Sequence, residues 1–505
     1  MKMVKSLLLG SAAGLLAMSG AQAADLPVKA QAVQYVKICS LYGVGYYYIP
    51  GTDTCIKVGG YLRTQVETGA GGGGQPWMDG GGGTTQAMYD RVRNQTMQYR
   101  IRAALSTDVR SQSPYGTVRS YFRIGIQQST PADPQGGAVF WDRAFIQFAG
   151  FTVGKAQSFY DTVTYGGAYS YDNVRTVSDT GASGWNLWAY TAQFGGGFSA
   201  TISAEDPNRG RVVVDNTVAG WAAYPGAITN DNLGAALTGF HVPDIIGNLR
   251  LDQPWGYISA SVALHQVAAA YYGTGNAVSN GYPSDKWGWG VSIGGVFNIP
   301  TGATVSKLGV NFQYSEGASG YGAAAGQVWS SLKPAQSAAW GFTVDGVFGT
   351  GTEIQLTTVW NVIAFYEHVW NRQWKTSVFG GYVSTEYNAA ATAIINSHLP
   401  GAAGTTPCGV PVAGAVWPPI GITPGSSNSC SPDYNFWQIG SRTQWNPEPN
   451  LDIGLQVMYT KLNTAYKGPA TNGGVAPGAP QATVTQLDDH DVWGIMFRVQ
   501  RNFWP

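Results

Sequence analysis

Residues 138–148 read AVFWDRAFIQF, a corner follows at Ala149, Gly150 and Phe151, residues 152–157 read TVGKAQ, and a polar, tyrosine-rich excursion runs from Ser158 to Gly184. Phe140, Ala144, Ile146 and Phe148 share one parity while Arg143 and Gln147 hold the other, which is the period-2 pattern of a strand with one apolar and one polar face. The shorter partner carries Lys155 and Gln157 on its polar side. The excursion is too long for a hairpin loop and contains Asp161, Asp172 and Asp179. A loop of that length is functional or disordered, so its purpose is the question around which the chain is read.

Outward from this stretch, the composition points away from a water-soluble globule. Gly accounts for 69 of 505 residues, aromatics for 13% and charged residues for only 11%, where a soluble domain carries about 25% charge. Basic and acidic residues balance at 29 each, which gives no reason to expect a nucleic-acid partner. At the N-terminus, Lys2 and Lys5 precede an apolar run from Leu7 to Met18 and an A-x-A site at Ala21, Gln22 and Ala23. These are the parts of a secretory signal peptide in order, and the run is too short for a membrane anchor. Residues 1–23 are therefore expected to be cleaved, leaving 24–505 as one domain. Four cysteines remain, Cys39, Cys55, Cys408 and Cys430, an even count that indicates disulfides in an oxidising compartment. Three pairings are open; pairing of neighbours is the simplest, because each bond then closes one short segment. No CxxC occurs and the five histidines are scattered, so neither a metal nor another cofactor is expected.

Similar alternating segments recur through the chain. Arg63, Gln65 and Glu67 oppose Leu62, Thr64 and Val66; Gln98, Arg100 and Arg102 alternate with Tyr99, Ile101 and Ala103; Arg119, Tyr121 and Arg123 alternate with Phe122, Ile124 and Ile126. Further on, Ile258, Ala260, Val262 and Leu264 oppose Ser259, Ser261 and His265, and near the end Trp493, Ile495, Phe497 and Val499 oppose Gly494, Arg498 and Gln500. Short turns and long loops alternate between the segments. The Gly-rich runs at 71–74 and 80–83 lack the Lys-Ser/Thr of a phosphate loop and read as surface loop. The segments number one more than closure permits. The weakest, Trp340 to Phe348, is assigned to a loop, which leaves the even number that a closed barrel with both ends on one side needs.

The result is an all-β reading: a 16-stranded antiparallel transmembrane β-barrel. In lipid every backbone N–H and C=O must pair within the protein, so a sheet spans only when closed. No apolar run of helix-spanning length follows the signal peptide, and Trp188, Trp255, Trp287, Trp437, Trp445, Tyr459 and Trp493 sit near strand ends, where an interface suits them. A large soluble β-sandwich also alternates, but its polar parity would face bulk water and its aromatics would lie inside. In a barrel of this size the polar parity lines an aqueous lumen. Arg63, Arg100, Arg102, Arg119, Arg123, Arg143 and Lys155 come from the first five strands, so their charges gather on one side of that wall.

The mature start ADLP, the segment from YVKICSLYG through YYYIPGTDTCIKVGGYLR, the core WDRAFIQFAGFTVGKAQSFYD and the block PDIIGNLRLDQPWG together resemble the alphaproteobacterial porin family over nearly the whole chain. The resemblance implies an outer-membrane barrel, a homotrimer, and a third loop folded into the lumen as a constriction, here Ser158 to Gly184. One departure concerns the end, where outer-membrane strands commonly finish on an aromatic: this chain ends Phe503, Trp504, Pro505, and Phe503 is taken as the last lipid-facing residue.

The function expected is a passive-diffusion pore for small hydrophilic solutes and ions, without enzymatic activity, in which carboxylates of Asp161, Asp172 and Asp179 face the arginine wall and order water across the narrowest section. A solute-selective channel is the alternative, with Tyr165, Tyr169 and Tyr171 as candidate contacts. An outer-membrane lipase is the other, but no G-x-S-x-G occurs.

Overall fold

A computed structural model describes residues 37–68, 78–79, 97–129, 137–164, 169–171, 174, 176–181, 183–209, 213–215, 241–272, 278–323, 328–333, 337–397, 422–424, 429–472 and 486–503. Long strands dominate. In chain order they are β1 (Cys55–Thr68), β2 (Met97–Ser113), β3 (Gly116–Ser129), β4 (Ala138–Phe148), β5 (Phe151–Ala156), β6 (Trp185–Gly195), β7 (Phe198–Glu205) and β8 (Asp244–Gln253), then β9 (Gly256–Val267), β10 (Lys286–Thr301), β11 (Thr304–Glu316), β12 (Gln355–Val369), β13 (Trp374–Tyr387), β14 (Tyr434–Glu448), β15 (Leu451–Asn463) and β16 (His490–Asn502). Each pairs antiparallel with the next, and β16 returns to β1 in register from Tyr61↔Asn502 to Thr68↔Ile495. The sheet is thus a closed 16-stranded barrel. Closure leaves no open edge, the condition for a sheet in lipid.

The two faces separate as the alternation predicts. On β9, Ile258, Val262 and Leu264 are exposed on the outside while Ser259, Ser261 and His265 are buried within. On β11, Val310 and Phe312 face out and Asn311 and Gln313 face in. Short turns connect strands at one rim and long connections at the other, which in outer-membrane barrels are the periplasmic and extracellular rims. The weak segment at 340–348 is not part of the wall: Ser337–Phe342 pairs with Val328–Lys333, and Gly346–Phe348 pairs with the start of β12 and, in parallel, with Val213–Asp215.

Two expectations about parity are corrected, both by local geometry. The β4–β5 corner is two residues long, with Phe148 opposite Phe151. Ala149 and Gly150 have φ of 48° and 87°, the doubly left-handed backbone of a type I′ hairpin. One residue fewer in the turn shifts the parity of β5 by one. Lys155 therefore shares the outward side with Phe151 and Val153, opposite Ala144 and Asn186, and is not a lumen-wall base. The second correction is a bulge in β4, where the register with β3 skips between Arg123↔Arg143 and Ile124↔Trp141. The extra residue, Asp142, turns inward. Before it Val139 and Trp141 face out and Phe140 faces in, under the Arg102 guanidinium at 4.4 Å; after it Ile146 faces out.

Cys39 is bonded to Cys55 with Cα atoms 6.1 Å apart, and Tyr46 packs over the bridge. This ties the chain's approach to the foot of β1. Cys430 is disulfide-bonded as well; Cys408 and the signal peptide lie outside the described residues.

Candidate pore constriction

The excursion after β5 enters the barrel. Its described residues lie along the inner face of the wall from β8 to β15, and the wall side chains that hydrogen-bond it there are small or neutral. Thr162 Oγ1 meets Ser292 Oγ at 2.7 Å and donates to Asn311 Oδ1 at 2.9 Å. The Ser178 backbone N–H donates to Gln313 Oε1, and Gln313 Nε2 donates back to the Ser178 carbonyl, both at 2.8 Å. Ser377 Oγ donates to the Tyr169 carbonyl. At the far end the Tyr171 N–H donates to Gln456 Oε1 on β15 at 2.6 Å.

Apolar contacts back up these bonds. Val163, Tyr169 and Val177 form a buried cluster with Ile363, Phe365, Phe379 and Met458, with the Tyr169 ring stacked on Phe365 at 3.6 Å. Tyr171 lies over Gly454, where even a methyl group would collide with its hydroxyl, and its ring faces the guanidiniums of Arg442 and Arg498 at 5.2 and 4.7 Å. Burial pushes the Tyr171 phenol up to about 12, so the ring meets these cations as a neutral π-system.

Asp161 departs from the expected placement. Its side chain is fully buried and ion-paired with Arg209 at 2.7 Å, and Arg209 is itself 4% exposed. The partner comes from the connection after β7, too far along the chain to be seen as one from sequence. Asp161 Oδ2 also accepts from the Thr180 N–H at 2.8 Å and from the Thr180 hydroxyl, which clips the start of the loop to its end. Its charge is spent inside the anchor and does not face the arginine wall. Arg209 further donates to Ser178 Oγ at 2.7 Å and to the Gly320 carbonyl at 3.2 Å. Gly320 belongs to a second inward segment, Ser319–Tyr321, where Tyr160 Oη donates to the Tyr321 carbonyl at 3.0 Å. The third loop is thus held from above as well as from the wall.

Asp179 is half-buried beside Gly181, whose carbonyl accepts from Arg143 Nη2 at 2.6 Å. This acidic segment therefore lies against the arginine wall. Asp172 and Tyr165 fall outside the described residues.

The opposite wall, β16 through β4, carries the expected arginines, and their register is more ordered than their spacing indicated. Arg63 stands directly opposite Arg102, Arg110 opposite Arg119 and Arg123 opposite Arg143. Arg63 donates to Gln500 at 2.7 Å, and Arg100 and Arg102 both donate to Gln127 Oε1. Two wall acids that the sequence reading passed over sit among them: Asp108 accepts from Arg110 and Arg119 at 2.9 and 2.8 Å, and Asp142 pairs with Arg123 at 2.9 Å. Asp108 falls on the inward parity of β2 and was readable; Asp142 faces inward because of the bulge and was not. A second inward cluster, Glu367 with Arg442 and with Lys375 at 3.5 Å, lies on β12 to β14.

Comparison with known proteins accords with this geometry. A family described as Porin subfamily matches residues 25–496. Porin Omp2b of Brucella abortus (strain 2308) is 34% identical over 276 residues, which is 52% of this chain and 66% of that protein, a little under two thirds of its length. Porin Omp2b of Brucella suis is 33% identical over 280 residues, 52% of this chain and 67% of that protein. The crystal structure of the outer membrane channel DcaP of Acinetobacter baumannii overlays with a TM-score of 0.57, covering 90% of this chain and 99% of that one at 11% identity, a likeness of fold alone.

Proposed function

The chain belongs to the porin family, and on that premise we propose that this outer-membrane barrel is a water-filled pore through which small hydrophilic solutes and ions pass by diffusion. The observation that carries the proposal is the asymmetry of the lumen: the third loop covers the inner wall from β8 to β15, and the arginine wall stands opposite. Solutes pass between the two. The bases Arg63, Arg100, Arg102, Arg119, Arg123 and Arg143 form one side of the constriction, and Asp172 and Asp179 on the loop supply the opposing charge. Asp161 acts as the loop's anchor. A transverse field of this kind orders water and disfavours apolar solutes.

A solute-selective channel built on loop tyrosines draws no support from Tyr169 and Tyr171, because both rings are buried in packing against the wall. The outward position of Lys155 supports assembly into a homotrimer. A lysine facing lipid near the midplane costs about 2–4 kcal/mol, and a neighbouring subunit over this face would relieve it.

The purified protein added to a planar bilayer in KCl is expected to give discrete, stable conductance steps. Insertion into the bilayer without any step would sink the pore reading.

A further inference from the structure

The foot of β1 carries a second layer of chain on its lumen side. Cys55 and Lys57 share the inward parity of Arg63, and β2 places Arg110 and Asp108 opposite them. β16 leaves β1 at Tyr61↔Asn502, and beyond that point Tyr48 and Tyr47 take over its edge, opposite Cys55 and Ile56. Ile38 then bridges to Tyr47, and the Cys39 N–H donates to the Tyr46 carbonyl at 3.0 Å. The wall is thus prolonged toward the periplasm by a small three-stranded patch, fastened by the Cys39–Cys55 bridge.

Between the strands of this patch the chain turns back over the inner face. Ser40–Tyr42 form one helical turn, and Gly43 and Gly45 take φ of 96° and 86°, backbone that glycine adopts without steric cost. Lys57 Nζ donates to the Val44 carbonyl at 3.1 Å. The Arg110 guanidinium lies 5.7 and 5.2 Å from the ring centroids of Tyr42 and Tyr46, within cation–π range of both. Burial and the Asp108 carboxylate push the Tyr46 phenol up to about 12, so the hydroxyl keeps the proton it donates to Asp108. Lys57, Asp108 and Arg110 all stand on the lumen side of β1 and β2. Residues 39–46 therefore occupy lumen space, and Val44, 79% exposed, projects from the side turned away from the wall.

This layer differs from the third loop in both side and height. The loop lies on β8 to β15 and reaches the arginine wall where Arg143, opposite Arg123, donates to the Gly181 carbonyl. The layer lies on β1 and β2 at the level of Arg110, whose partner on β3 is Arg119. Four residues of β3 separate Arg119 from Arg123, about 13 Å of strand.

We infer that residues 39–46 form a second narrowing of the pore at its periplasmic exit, pinned by Cys39–Cys55 and staggered against the third loop, with Tyr42 and Tyr46 as its positioning residues. The inference rests on the pore reading above and adds a determinant of which solutes pass. Two narrowings on opposite sides and at different heights bend the path. Compact or flexible solutes then pass more readily than rigid, elongated ones of the same cross-section.

The test is polymer exclusion on single channels of one orientation in a planar bilayer. Polyethylene glycols of graded size are added to one side at a time, and the largest that still lowers the conductance gives the cut-off from that side. C39S/C55S removes this bridge and leaves that of Cys430. Its cut-off from the periplasmic side is expected to rise by about 3–5 Å in diameter, part of the roughly 10 Å that one layer packed on a sheet occupies. The extracellular cut-off, set by the third loop, should stay put, which a general loosening of the barrel would not allow. V44W keeps every fastening contact and should act in the opposite direction, lowering the periplasmic cut-off and the conductance. If C39S/C55S fails to insert, V44W decides by itself. Conductance steps with an unmoved periplasmic cut-off in the variants that insert, or equal shifts from both sides, overturn the inference and leave the pore reading standing. Absence of steps in the unaltered protein overturns the pore reading itself.

Discussion

Asp161→Ala is expected to loosen the constriction loop, raising single-channel conductance and broadening its distribution. Removing this carboxylate strands the Arg209 guanidinium in the protein interior, with the Ser178 hydroxyl and the Gly320 carbonyl among its remaining acceptors. Leaving one member of a buried ion pair unmatched costs about 3–5 kcal/mol. The loop's own closure is lost at the same time, because Thr180 gives up the acceptor for both its N–H and its hydroxyl. The double variant D161A/R209A should recover part of the loss, since no unmatched buried charge then remains, and the difference between single and double variants measures the coupling. Limited proteolysis between residues 158 and 184 provides a second readout. Wild-type conductance together with wild-type protease resistance in D161A would show that the pair does not seat the loop.

His265→Ala should have a comparable effect from the extracellular side. The imidazole lies buried between two carboxylates, with Nδ1 2.8 Å from Asp244 and Nε2 3.5 Å from Asp345. Both carboxylates hold the second inward segment in place. Tyr321 Oη donates to Asp244 at 2.6 Å, and the Ser319 N–H and hydroxyl donate to Asp345 at 2.7 Å. Without the ring, two buried carboxylates face each other with their bridging group gone, again a loss of about 3–5 kcal/mol. The Ser319–Tyr321 turn is expected to leave the lumen, exposing the 317–354 connection to protease and adding low-frequency noise to the open-channel current. A quiet channel and an intact connection in H265A would refute this role.

Much of the barrel was legible because lipid and water impose opposite demands on alternate residues. The runs Ile258 to Leu264 and Trp493 to Val499 show it without ambiguity, and both keep their predicted faces. The failures lie where a single residue is gained or lost. At Ala149 and Gly150 the turn is one residue tighter than the corner assumed, which is enough to turn Lys155 outward. At Asp142 the bulge moves Phe140 to the lumen and brings in an acid. A period-2 pattern has no memory across such a site, so parity must be read afresh on either side. The constriction was legible in place but not in detail. The length and polarity of residues 158–184 marked the loop, yet nothing near Asp161 in sequence identifies Arg209 as its partner. One signal was present and went unused: the inward residues of β9 to β13 include Ser261, Ser292, Asn311, Gln313, Asn361 and Ser377, short or neutral groups suited to receive a loop, whereas β1 to β4 carry arginines suited to water.

The docking of the third loop along half the wall also bears on how the pore responds to voltage. A potential of 100 mV does about 2.3 kcal/mol of work on one elementary charge carried across the entire membrane, and a loop charge shifting within the lumen crosses only part of that field. Against this stand a buried ion pair that costs about 3–5 kcal/mol to break and the hydrogen bonds of Thr162, Tyr169, Tyr171 and Ser178 that fasten the loop to β10, β11, β13 and β15. The loop is electrically stiff. On the pore reading, the solute size limit is accordingly expected to be set by covalent chain length and wall geometry and to stay constant as the potential across the outer membrane rises and falls.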